Sequence, residues 1–399
     1  MWLYFLLIKL AALFNDKARR LVQGERQSLD LLRRNIDSNS RYIWFHAASV
    51  GEFEQARPVI EKIKDVCPQQ KILLTFFSPS GFEMRKDYKG ADFVSYLPFA
   101  TTANVRQFLD IVRPQKAIFV KYEFWPAYLR ELRRRSIPTY IFAAIFRPNQ
   151  LFFKPYGRMY RQLLTCFTTL MVQDEASKLL LGKYGINNTV VAGDPRFDRV
   201  VQIAGQAKHI ECVEAFAKAA VKRLIVAGST WHADEKLLIR YMREHADCRL
   251  LIVPHEIDEH HLEMLKNELG NEVIFYTDAD VRTASSYRCM VLNAMGLLSS
   301  VYRYGQVAYV GGGFGDGIHN TLEAAVYSIP VVFGPKYKKF REACQLIDCG
   351  GGYPVRSYEE LERVLDTLLS DCEKPGRLAG QYVAANCGAT DIIYKELTK

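Results

Sequence analysis

Short apolar runs alternate with helical patterns along almost the whole chain, in two successive series. The first has strand-like runs at residues 42–45, 72–77, 93–97, 117–120, 140–144 and 170–172. Between them lie helical patterns such as 104–112, 127–134 and the segment before Asp65, where Phe53, Ala56, Val59, Ile60 and Ile63 recur at helical spacing. The second series has runs at 224–227, 250–253, 273–276, 290–292, 307–310 and 331–333. Strands alternating with helices imply parallel sheets covered on both faces. A chain of 399 residues exceeds what one core usually supports. Residues 199–218 carry no strand signal and contain Gly205-Gln206-Ala207. The expected organisation is α/β, with two Rossmann-like doubly wound domains facing a cleft. Residues 1–40 form a lead-in, 41–200 the first domain, 201–210 a linker, 211–380 the second domain and 381–399 a C-terminal helix. Ligands bind such sheets at the carboxyl ends of the strands, which places the site in the cleft.

The stretch 306–335, QVAYVGGGFGDGIHNTLEAAVYSIPVVFGP, concentrates the ligand-binding signals. An apolar strand at 307–310 gives way to a glycine run at 311–317 and then to a helical pattern at 320–327. Such a junction points unpaired N–H groups and the positive end of a helix dipole at whatever sits over the loop, which suits a phosphate. Glu323 falls on the first turn of the helix, one turn after His319, so both side chains can face one pocket. A carboxylate there can hydrogen-bond ribose hydroxyls. These features predict a nucleotide site, while the glycines alone are equally those of a plain strand-to-helix turn.

The formal charge of +9 favours an anionic partner: nucleic acid, an acidic membrane surface or a phosphorylated substrate. No sheet presents a combined aromatic and basic face, which argues against nucleic acid. Nine cysteines without CxxC spacing argue against zinc ribbons and a disulfide framework, and fit a reducing, cytoplasmic setting. No HExxH, DxD or clustered Cys/His set calls for a metal. Residues 2–14, WLYFLLIKLAALF, are apolar apart from Lys9, and Lys17, Arg19 and Arg20 follow. A helix of that length spans about 20 Å, short of the roughly 30 Å hydrocarbon core. It reads as an interfacial helix on an anionic leaflet or as an N-terminal helix packed on its own domain. Residues 151–164, LFFKPYGRMYRQLL, mix aromatic and basic side chains and suit either a lipid surface or the core.

Candidate chemistry sits at strand ends. Glu52 follows Ser49-Val50-Gly51 at a helix start, where the dipole favours an ionised carboxylate. It can serve as a general base or as a capping acid. Glu123 in KYEFWP ends a buried strand, at the ligand edge or in a surface loop. Arg196 in GDPRFD can grip a phosphate or carboxylate in bidentate fashion, or pair with Asp194 or Asp198. Gly228-Ser229-Thr230 and Pro254-His255-Glu256 follow strands and can contact nucleotide. His260 and His261 read as solvated helix residues.

Assembled in order, FHAASVGE, YEFWP, GDPRFD, AGSTWHADE, PHE, MGLL, VGGGFGDGIHNTLEAA, PVVFGP and the final GATD resemble the Kdo transferases over nearly the whole chain. These bacterial enzymes move 3-deoxy-D-manno-octulosonic acid (Kdo) from CMP-Kdo to a lipid A precursor. The resemblance implies the GT-B fold with a membrane-associated N-terminal segment, at the cytoplasmic face of the bacterial inner membrane, held peripherally or by an N-terminal anchor. It implies inverting transfer in lipopolysaccharide biosynthesis without a metal or other cofactor. Glu52 matches the family's general base, and Glu123 and Arg196 match positions that assist the transition state. His255, Glu256, Met295, Gly296, Leu297, Asn320, Thr321, Leu322 and Glu323 fall where the family binds CMP. Its partners would be CMP-Kdo, a lipid A precursor and the anionic inner-membrane surface, with no nucleic acid.

The chain departs from the family pattern at Lys121, usually Glu, and at His255-Glu256, usually Arg-His. Asn293-Ala294 and Leu297 replace a pattern closer to Asp-Thr and Glu, and no acid follows Pro98. The nucleotide contacts therefore carry over less directly than the catalytic positions. Two other functions remain open to the residues alone. One is a GT-B transferase using a UDP-sugar, and the other a non-catalytic, membrane-associated nucleotide-binding protein.

Overall fold

The computed structural model describes Leu7, residues 10–220 and residues 223–399. The chain forms two compact units, the first comprising residues up to Arg199 together with Cys387–Lys399, the second Val200–Asn386.

The first unit is built on a seven-stranded sheet in the order β3-β2-β1-β4-β5-β6-β7. Its strands are β1 (Tyr42–His46), β2 (Lys71–Phe76), β3 (Phe93–Tyr96), β4 (Lys116–Val120), β5 (Thr139–Ala144), β6 (Thr169–Val172) and β7 (Thr189–Val191), and every pairing is parallel. Central β1 is buried at every position because helices cover both faces of the sheet. On one face Trp44 packs against Phe108 and Phe119, with ring centroids 4.7 and 5.2 Å away. On the other, Phe45 shares a core with Phe53, Val59 and Ile60 of the Val50–Val66 helix. In this unit β7 alone lacked a strand signal, being three residues long and buried at Thr189 alone.

The lead-in is part of this unit. Asn15 caps the Asp16–Asn35 helix, accepting the Ala18 N–H at 3.1 Å. That helix buries Leu21, Val22 and Leu32 in the core around Trp44. Its buried Glu25 accepts the Phe99 N–H at 2.8 Å, tying the helix to the loop after β3. Most of the apolar 2–14 segment lies outside the described residues. Within it, Leu7, Leu10, Leu13 and Phe14 are exposed. Among the described residues no helix is long and apolar enough to cross a membrane.

The second unit repeats the architecture with β8 (Leu224–Thr230), β9 (Arg249–Pro254), β10 (Val273–Phe275), β11 (Cys289–Val291), β12 (Val307–Val310), β13 (Val331–Phe333) and β14 (Gly352–Pro354). The order is β10-β11-β9-β8-β12-β13-β14, all parallel, so β11 inserts between β9 and the edge.

The stretch expected as a linker at 201–210 is helical as far as Gly205, within the helix Pro195–Gly205. At the other end the helix Glu373–Ala385 stops, Gly388 turns the backbone with φ 104°, and a separate helix, Ala389–Thr398, follows. That last helix returns to the first unit, where Ile393 and Leu397 join the core beneath β1.

Candidate active site

In the first unit the candidate residues gather at the carboxyl ends of the central strands, where a doubly wound sheet binds its ligands. Glu52 is the third residue of the Val50–Val66 helix and accepts the Ser49 N–H at 3.1 Å. It thus makes the backbone contact of a capping acid. Its carboxyl is raised above the ordinary value by burial and then by the Glu123 charge, against the opposing pull of His46, the Ala48 N–H and Lys121. Glu123 is brought to the same cluster, with its side chain only 13% exposed. Its Oε2 accepts the Trp125 indole N–H at 2.5 Å and stands 3.1 Å from His46 Nε2. Lys121, between β4 and Glu123, has φ 63°. A lysine in the left-handed region is strained, and such strain collects at functional sites.

His46 went unnoticed in the sequence because its place beside Glu123 depends on β1 and β4 pairing. In that register His46 stands opposite Phe119 and Thr75. A histidine ending a buried strand, six residues before the candidate base, was the available signal.

Arg196 is gripped within its own motif. Its Nε and Nη2 donate to Asp194 Oδ2 at 3.0 and 2.9 Å, and its N–H donates to Asp194 Oδ1 at 3.0 Å. The Asp194 ion pair, one of the two readings open for Arg196, is therefore formed. Buried Asp194 also accepts Gln55 at 3.0 Å and Gln173 at 3.1 Å. Burial raises its carboxyl, but Arg196 and the Gln55 amide outweigh it and hold it below the ordinary value. Gln55 lies one helical turn beyond Glu52, so the Arg196 network and the Glu52 cluster are anchored on one helix.

In the second unit the glycine run serves the protein's own packing. A Cβ on Gly311 would lie 2.3 Å from Ser229 O, one on Gly313 2.6 Å from Gly334 Cα, and Gly312 has φ 89°. The N–H groups of Gly311, Gly315 and Gly317 donate to backbone carbonyls, and that of Gly312 to Asp234 Oδ2 at 2.9 Å. These four are spent internally, contrary to the expectation of a loop offering its N–H groups to a phosphate. The helix expected at 320–327 is a single turn, Leu322–Ala325.

His319 and Glu323 turn to different partners. Asn320 donates to Glu323 Oε1 at 2.9 Å and accepts the Leu322 N–H at 3.1 Å. Thr321 is fully buried, and its hydroxyl has no hydrogen-bond partner among the described residues. The His319 ring stacks on His255 with centroids 4.2 Å apart, and Trp231 lies 4.9 Å from His255. Trp231 Nε1–H donates to His319 Nε2 at 3.2 Å. Burial, then the neighbouring His255, lower His319 to about 4, so it stays neutral and accepts that bond. Trp231 is the second residue the sequence did not single out. Its position directly after the β8 end was the clue. His255 and Glu256 are exposed after β9, as are Met295 and Gly296 after β11, while Leu297 is half-buried.

His261 is not solvated. It is buried, and its Nε2 stands 2.7 Å from Oε2 of fully buried Glu235. Thr230, expected near nucleotide, donates to Oε1 of the same carboxylate at 2.7 Å. Gly228 underlies Tyr302, whose hydroxyl would meet an added Cβ at 2.1 Å. Among the described residues no group of three or more His, Cys, Asp or Glu could hold a metal ion.

The family model described as 3-Deoxy-D-manno-octulosonic-acid transferase (kdotransferase) matches residues 20–199. The chain is 24% identical over 379 residues to a 3-deoxy-D-manno-octulosonic acid transferase of Rickettsia bellii, covering 92% of this chain and 88% of that one. It is 25% identical over 337 residues to the protein of the same description from Aquifex aeolicus, covering 82% and 86%. A UDP-GlcNAc 2-epimerase structure from Neisseria meningitidis matches with a TM-score of 0.60 at 14% identity, covering 90% of this chain and 99% of that chain. That likeness identifies the two-Rossmann architecture of the GT-B class. With the relatives spanning both units, the chain is similar along most of its length to the 3-deoxy-D-manno-octulosonic-acid transferases.

Proposed function

We propose that this protein transfers Kdo from CMP-Kdo to a hydroxyl of a lipid A precursor, with inversion at the anomeric carbon and Glu52 as general base. The observation that carries the reading is the Glu123 charge acting on Glu52 at the carboxyl ends of the central strands, in a chain similar to the Kdo transferases. A carboxylate whose proton affinity is raised by burial and a neighbouring charge is better suited to take a proton near neutral pH. In the reaction Glu52 removes the acceptor hydroxyl proton as that oxygen attacks the anomeric carbon of Kdo. The bond from that carbon to the CMP phosphate oxygen breaks, and CMP leaves with the bonding electrons. Glu123 and Arg196 assist from the same unit, Arg196 with its guanidinium oriented by Asp194. In the second unit the stacked rings of Trp231, His255 and His319 offer an aromatic surface for the cytosine base. Asn320 and Glu323 offer polar groups for the ribose. No metal or other cofactor enters the scheme.

Exposed side chains support the acceptor and location in this reading. Tyr156 and Met159 are 75% and 58% exposed, beside exposed Arg158, while Phe152 and Phe153 of the same stretch pack inward. Phe14 is 90% exposed on the lead-in. Exposed apolar side chains next to cations suit the interface of an anionic bilayer, here the cytoplasmic face of the inner membrane, held peripherally.

The test is donor choice. The purified protein is mixed with a lipid A precursor and either CMP-Kdo or a UDP-sugar, and nucleotide release is followed. CMP release that requires the acceptor is expected. Release of UDP alone would overturn the donor assignment.

A further inference from the structure

His46 ends β1 with a side chain that is 0% exposed, and its two ring nitrogens face different chemistry. Nδ1 lies 3.1 Å from the Thr75 carbonyl oxygen and 3.0 Å from Thr75 Oγ1. A carbonyl oxygen can only accept. Thr75 Oγ1 already accepts the Trp44 indole N–H at 2.8 Å, and its own proton has an acceptor in the Phe45 carbonyl at 3.3 Å. Nδ1 is therefore the donor. The opposite nitrogen, Nε2, stands 3.1 Å from Glu123 Oε2. With Nδ1 protonated, a hydrogen bond there needs a second proton, on Nε2 or on the carboxyl. The Trp125 N–H is directed at the same Oε2, and a donor held on that oxygen favours the ionised carboxylate.

We propose that His46 is held doubly protonated against an ionised Glu123, as a positioning residue that fixes Glu123 and sets the pH at which Glu52 becomes a base. The proposal rests on the reading of Glu52 as the base. The charges that bear on Glu52 are Glu123, which raises it, and His46 and Lys121, which lower it. One turn along the Glu52 helix, Gln55 faces Asp194, whose charge is met by Arg196. The other side chains against the His46 ring are those of Phe119 and Trp125, each packed edge-on at 6.0 Å, and neither carries charge. Two partly buried carboxylates with no cation between them would keep Glu52 protonated to higher pH. An imidazolium bound to one of them limits that rise while holding the Glu123 oxygen in place.

The test has two arms. The first is 15N NMR of the intact, substrate-free protein labelled at histidine, with the His46 signals assigned by their loss in His46→Asn. Protons on both ring nitrogens at pH 7 are expected. A neutral ring with an unprotonated Nε2 overturns the proposal. The second arm is the pH profile of kcat/KM for Kdo transfer in wild type and His46→Gln. The glutamine amide can still donate to Glu123 but carries no charge. The acid limb is expected to move up by about one pH unit. A limb that stays in place overturns the proposal. Absence of Kdo transfer by wild type would remove the functional reading, while the NMR arm would still decide the protonation state.

Discussion

Asp198 accepts Thr390 twice, from its backbone N–H at 2.7 Å and from its hydroxyl at 2.6 Å. The same carboxylate accepts the Gly388 N–H at 2.6 Å. An acid from the GDPRFD motif thus supplies the N-terminal cap of the last helix, which has no side-chain cap of its own.

Replacing that acid should loosen the C-terminus selectively. Asp198→Ala is expected to cost about 1–2 kcal/mol, read from the urea midpoint. Limited proteolysis should then cut ahead of Ala389 in the variant before wild type. Equal protection of that helix in the two proteins would contradict the capping role.

The glycine run makes a second contrast. An added methyl at Gly313 meets the Gly334 backbone at 2.6 Å, whereas at Gly315 the nearest atom is Gly312 O at 3.5 Å. Gly313→Ala should therefore destabilise by about 2 kcal/mol or more and Gly315→Ala by much less. Similar denaturant midpoints for the two would show that the loop yields at Gly313.

The parallel sheets were legible because β1, β4, β8 and β12 are continuous apolar runs, buried on both faces. The ends of the sheets were less so. β7 and β14 are three residues long and half-exposed, which leaves a pattern no different from a loop. Glu52 and Glu123 were visible as acids after strands, and their mutual influence required the sheet. His261 misled because adjacent His260 is exposed and nothing local shows that Glu235 lies against one ring and not the other. The glycines misled for a related reason, since close approach by the protein's own backbone and by a ligand leave the same residue type.

Asp194 should matter to stability more than an acid at a surface would. Asp194→Ala leaves the Arg196 guanidinium and the amides of Gln55 and Gln173 without their shared acceptor, at an expected cost of about 3 kcal/mol. Because the Asp194 carboxyl is held below its ordinary value of 3.8, its contribution is present above that pH and is lost as pH falls through the lowered value. Acid titration of folded protein should show wild type losing this advantage over the variant below pH 4. A variant as stable as wild type at pH 7 would refute the role.

His319 acts in the same direction over a higher pH window. Its folded value of about 4 lies below the ordinary 6.5, so the unfolded chain binds the extra proton between them. Its contribution is complete above pH 6.5 and declines as pH falls from 6.5 to about 4. In thermal melts across that range His319→Gln should flatten part of the decline. An unchanged slope would mean that the ring is not held neutral by its burial beside His255.

The most direct measurement is acceptor-dependent CMP release from CMP-Kdo by wild type and Glu52→Gln, with CMP binding measured alongside. Loss of a general base predicts a fall in turnover of roughly 10²- to 10⁴-fold with CMP affinity retained. Turnover by a folded Glu52→Gln variant equal to that of wild type would contradict the assignment of Glu52 as the base.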